Sequence, residues 1–105
     1  MTKIAKAVAV SSTFGGTGQS SAFLPFPGPF SVWLQGGVGT VKLERSTDSG
    51  STWIDVSSDV LGTVASWALN STEVSVVVDE PEQGSQFRLN CTAYTSGTIT
   101  YRLGQ

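Results

Sequence analysis

From residue 30 onward, apolar and polar side chains alternate in short runs, the period-two signature of strands that bury one face. Residues 30–35 set Val32 and Leu34 on one face and Ser31, Trp33 and Gln35 on the other, and Gly36-Gly37 ends the run. Residues 40–46 repeat the pattern with Val41 and Leu43 inward and Lys42 and Glu44 outward, so these two runs read as a hairpin. A turn-rich stretch around Asp48 and Gly50 then leads into Thr52-Trp53 and a run through Val56, a second hairpin. Val74, Val76 and Val78 alternate next, and residues 79–84 form an exposed acidic turn. The clearest strand follows: Phe87, Leu89, Cys91 and Ala93 against Arg88, Asn90, Thr92 and Tyr94. Thr95-Ser96-Gly97 turns the chain into a last run with Ile99, Tyr101 and Leu103 in phase, and the final two strands read as a tight antiparallel hairpin.

The first third is different. After an extended start over residues 4–10, residues 11–29 are dominated by Ser, Thr, Gly and Pro and read as a loop or arm, because proline lacks the donor a ladder needs. Phe23, Leu24 and Phe26 within it need burial, either as a plug in one open end of the domain or docked into a neighbouring subunit. Residues 57–70 read as a loop with a weak strand. The organisation expected is an N-terminal strand and Pro/Gly-rich arm over 1–29 and a sandwich domain over 30–105. About seven short strands without a helix predict an all-β fold, an antiparallel β-sandwich or jelly-roll-like variant.

Size and composition narrow the function. A chain of 105 residues builds one core, and it buries roughly 65% of its unfolded surface, so association into an oligomer would help it. Charged residues make up only 13%, the formal net charge is −2, and there is no basic field to hold nucleic acid. Histidine is absent and Cys91 is the single cysteine, which removes the commonest general base, the usual zinc sets and any internal disulfide. No apolar run is long enough for a membrane helix, and the Lys3/Lys6-interrupted N-terminus is no secretory signal. The triplets Asn70-Ser71-Thr72 and Asn90-Cys91-Thr92 match the glycosylation pattern by coincidence in so hydroxyl-rich a chain.

The acids Asp48, Asp55, Asp59, Asp79, Glu80 and Glu82 are the candidates for a glycosidase pair, but most lie in turn-like segments where a solvated acid is expected. No catalytic residue, cofactor site or metal site is assigned. Asp48 with Ser46 or Ser49 offers oxygen ligands, yet the spacing is not that of an EF-hand, and a turn-capping role is the better reading. Among Trp33, Trp53, Trp67, Tyr94 and Tyr101, aromatic residues a small domain normally buries, Trp33 stands out because its phase opposes Val32 and Leu34. If those two face the core, Trp33 faces a partner or a glycan.

Ser46-x-Asp48-x-Gly50-x-Thr52-Trp53 resembles the Asp-box of sialidase-type propellers, where the box is a structural hairpin remote from the catalytic centre. A single box in a chain of this length implies the hairpin and not the propeller. The runs 28–36, 39–53, 87–92 and 96–103 together resemble short virion proteins of tailed bacteriophages. That resemblance implies a non-enzymatic capsid decoration or cement protein. It would be made in the host cytoplasm, sit on the capsid surface, bind the major capsid protein and often be trimeric. Phe23, Leu24, Phe26 and Trp33 are the expected partner-binding residues. A glycan- or receptor-binding module, or a tail or head-completion component, is the alternative.

Overall fold

The computed structural model describes residues 9–56 and 65–105. Among the described residues nine strands form two sheets: β1 (Ala9–Phe14), β2 (Gly18–Gln19), β3 (Gly28–Gln35), β4 (Val38–Ser46), β5 (Ile54–Asp55), β6 (Ser66–Asn70), β7 (Glu73–Glu80), β8 (Gln86–Ser96) and β9 (Ile99–Gly104). One sheet has the order β1-β9-β3-β7; the other runs β2-β8-β4, with β5 and β6 end to end along the far edge of β4. All pairings are antiparallel. The chain passes from one sheet to the other at every connection except those joining β4, β5 and β6, which is jelly-roll topology. The all-β sandwich expected from the alternation is therefore what the chain forms.

The inward faces meet in one core. Phe30, Val32 and Leu34 of β3 and Ile99, Tyr101 and Leu103 of β9 face Val41 and Leu43 of β4 and Phe87, Leu89 and Cys91 of β8, all buried. Burial pushes the Cys91 thiol up, and it bonds Ala93 O, which leaves it an inert core group. At one end of the sandwich Phe23, Phe30 and Phe87 stack with ring centroids 5.3 and 4.6 Å apart.

Several expectations need correction. The β3–β4 and β8–β9 pairs are not hairpins. Each strand has only two hydrogen-bonding edges, and β3 spends both on β7 and β9, while β4 spends its own on β8 and on β5 with β6. Their glycine-bearing turns instead carry the chain across the core, and they stack on one another. Gly36 N–H donates to Thr72 O at 3.1 Å, Ser71 N–H donates to Gly37 O at 2.7 Å, and a Cβ on Gly97 would lie 3.1 Å from Gly37 Cα. The β4–β5 hairpin does form, with Glu44 opposite Asp55 and Arg45 opposite Ile54.

The third correction concerns the arm. Residues 9–14 pair with β9 over their whole length, residues 18–19 pair with β8, and Phe23 exchanges both backbone hydrogen bonds with Phe87 at 2.7 and 2.9 Å. Strands drawn from this stretch are thus outer members of both sheets. The proline restriction holds only over residues 25–27, since Gly28 and Pro29 already pair within β3, and upstream of it free amides are available for pairing. Most of the extended start expected over residues 4–10, and residues 57–64 of the stretch expected as loop and weak strand, lie outside the described residues; β6 supplies the strand.

The acidic turn expected to be exposed over residues 79–84 is shorter and tied down: Asp79 and Glu80 belong to β7, and Glu80 is buried. Burial raises the Glu80 carboxyl, but hydrogen bonding from Arg45 and from Glu82 N–H more than offsets this and holds it below its ordinary range. Arg45 also donates to Ser85 Oγ at 3.1 Å, so one guanidinium joins β4 to the β7–β8 connection.

Candidate functional site

Because direct cross-strand partners share a face, the register maps the outward side of the β1-β9-β3-β7 sheet. Its rows are Ala9–Gly104–Ser31–Val77, Ser11–Arg102–Trp33–Ser75 and Thr13–Thr100–Gln35–Glu73. Trp33 does point away from the core, half-buried between Arg102 and Ser75, with Val77 diagonal to it. Val77 is 73% exposed, on a strand whose other valines face inward.

Beside Val77 lies a shallow trough of about 240 Å³ lined by Pro29, Phe30, Ser31, Val77, Gly104 and Gln105. The Gln105 side chain fixes its rim, accepting the Phe26 N–H at 2.9 Å and donating to Phe26 O at 2.8 Å and Pro29 O at 3.2 Å. Between Pro25 and Pro29 only Phe26 and Gly28 carry an N–H, so this clamp satisfies one of the few donors there. With its backbone held, Phe26 is still 61% exposed, and Leu24 nearby in sequence is 55% exposed. Phe26, Pro29, Val77 and Trp33 thus supply apolar surface on and beside one face.

Of the four partner-binding residues expected, Leu24, Phe26 and Trp33 are accessible and Phe23 is not. Phe23 is fully buried, packed on Phe30 and paired with Phe87, so it serves as the plug and is unavailable to a partner. Val77, Gly104 and Gln105 were missed. An apolar residue in the outward phase of the Val76-Val77-Val78 run is the signal that could have found the first; the other two reach the trough only through long-range register.

The Asp-box-like segment closes on itself. Ser46 Oγ–H donates to Asp48 Oδ1 at 2.7 Å and accepts Gly50 N–H at 3.0 Å, Thr52 N–H donates to Asp48 Oδ1 at 2.8 Å, and Trp53 Nε1–H donates to Gly50 O at 3.0 Å. Ser49 and Gly50 take φ of 61° and 89°, a left-handed bend that the glycine accepts without strain. The Thr52 amide, then the Ser46 hydroxyl, hold the Asp48 carboxyl at about 2. A carboxylate engaged in this way caps the turn.

The outward side of the other sheet is polar and mutually paired. The buried Glu44 carboxylate accepts from Arg88 Nε at 2.7 Å and Asn90 Nδ2 at 3.2 Å, with Lys42 Nζ at 3.6 Å. Lys42 also meets Asp55 at 2.8 Å, and the Arg88 guanidinium lies 4.4 Å from the Trp53 ring centroid. Trp67 packs against the core, opposite the inward Val41. Asp59 lies outside the described residues.

No family model matches the chain, and no curated protein matches it significantly. Among solved structures it is similar to the CENP-C cupin domain of Drosophila melanogaster, at 11% identity and a TM-score of 0.46; the match covers 98% of this chain and 62% of that one.

Proposed function

We propose that this chain is a non-enzymatic virion protein of a tailed bacteriophage, a capsid decoration or cement protein that docks on the major capsid protein. The observation that carries the docking face is the exposed apolar group made by Phe26, Pro29, Val77 and Trp33 on and beside the outward side of the β1-β9-β3-β7 sheet. Such a surface on a small, weakly charged sandwich supports binding by shape and apolar contact. The sequence resemblance supplies the partner. Many copies, each touching several capsid subunits, multiply a modest contact through effective concentration, and a trimer would present the face three times.

Deleting everything before Phe30 would not test this, since it removes β1, β2 and the Phe23 plug. Point changes on the face do. The wild-type protein should co-sediment at fixed stoichiometry with shells assembled from a tailed-phage major capsid protein. The double variant Phe26→Ser/Val77→Ser, altering exposed side chains only, should bind about tenfold more weakly, as loss of interface anchors does. Shells that ignore the wild type overturn the capsid reading, and unchanged binding by the variant overturns the face. Glycan-array hits lost on Trp33→Ala would replace it with the lectin reading.

A further inference from the structure

The long edge of the β1-β9-β3-β7 sheet carries a second, separate binding signal. β7 pairs with β3 over all eight of its residues, and among the described residues nothing pairs with its other side. Exposed edges of this kind usually carry a lysine, a proline, a bulge or an inward charge as protection. Between Val74 and Val78 there is none of these; the inward charge of Glu80 and the following Pro81 stand only at the C-terminal end of the strand. The outward row of β7 is Glu73, Ser75, Val77, Asp79, and the inward row is Val74, Val76, Val78. Glu80 is committed to Arg45, so the exposed acids are Glu73 and Asp79, one at each end of the same row.

That arrangement discriminates between occupants. A second copy pairing about a two-fold axis, with outward rows kept outward and overlap extending over both ends, sets Glu73 against Asp79 twice. Like charges directly opposite are destabilising. Slipping by one residue relieves this only by turning the apolar row to solvent, and slipping by two keeps the phase but shortens the ladder and sets Glu73 against Val77 or Asp79 against Ser75, so that neither acid gains a counter-charge.

We infer that β7 accepts an extended strand of another protein by antiparallel β-addition, and that this strand carries Lys or Arg six residues apart on its outward face. The positions between follow from the register. Apolar residues face Val78, Val76 and Val74, another faces Val77, and a small polar residue faces Ser75. Main-chain hydrogen bonds provide affinity, and the two basic ends provide selectivity. This edge shares only Val77 with the docking face above, and its test uses neither capsid shells nor a change at Val77.

The probe is the peptide Lys-Val-Ile-Val-Thr-Val-Lys, compared with Glu-Val-Ile-Val-Thr-Val-Glu, titrated into the full chain by calorimetry while amide exchange is followed by NMR. The basic peptide should bind about tenfold more tightly than the acidic one, as two reversed cross-strand charge pairs imply, and should slow exchange of β7 amides. Glu73→Lys/Asp79→Lys, both exposed, should reverse the preference. Equal binding of both peptides, protection confined to other strands, or no binding of the basic peptide would overturn the inference. So would sedimentation showing that the free chain already self-associates through β7.

Discussion

Asp48 and Ser46 are the residues on which local order depends most visibly. The Ser46 side chain is fully buried and engages both Asp48 and the Gly50 amide, so Ser46→Ala should cost about 1–3 kcal/mol through the unsatisfied amide. It should also raise the Asp48 carboxyl from about 2 toward its ordinary 3.8, readable as a carboxyl-carbon shift during NMR titration. The sign follows from linkage. A carboxyl lowered by folding stabilises the fold fully above the ordinary value, and that contribution fades as pH falls through about 2. Glu80, also held low, acts in the same direction. Acid unfolding of the wild type should therefore have a carboxylate component that Ser46→Ala reduces. The box was legible in the sequence because its partners lie within a few residues of one another.

At the scale of elements, the strands and their inward phases were legible and their partners were not. Alternation states which residues of a run face the core, but both sheets of a sandwich face the same core, so phase alone cannot say which sheet a run joins. The Gly36-Gly37 turn illustrates this: two positive-φ residues suit a tight hairpin, yet here they cross between sheets. A Cβ at Gly37 would lie 2.5 Å from Ile99 Cγ1 and 3.1 Å from Ile99 N, and φ there is 69°. Gly37→Ala should thus destabilise by at least about 1–3 kcal/mol, while Gly84→Ala meets only the φ penalty, since nothing lies within 4 Å of its Cβ. Chemical denaturation of the two variants measures the difference. The candidate face was legible in part for the same reason. Trp33 announced itself by phase and Phe26 by its proline-bound segment, whereas Gly104 and Gln105 meet them only through pairings between distant parts of the chain.

For the molecule as a whole, the sheet-crossing route has a kinetic consequence. Among the ladders of the described residues only β4–β5 closes locally, whereas β1–β9 joins Ala9 to Gly104. Chain entropy must be given up over long loops before most native pairings return anything, so little structure can form early and then wait. Stopped-flow tryptophan fluorescence should find refolding in milliseconds to seconds, the range of non-local β topologies. During that interval unpaired strands are open to capture by other chains. High-yield production therefore calls for dilute, slow renaturation or a chaperone-rich host.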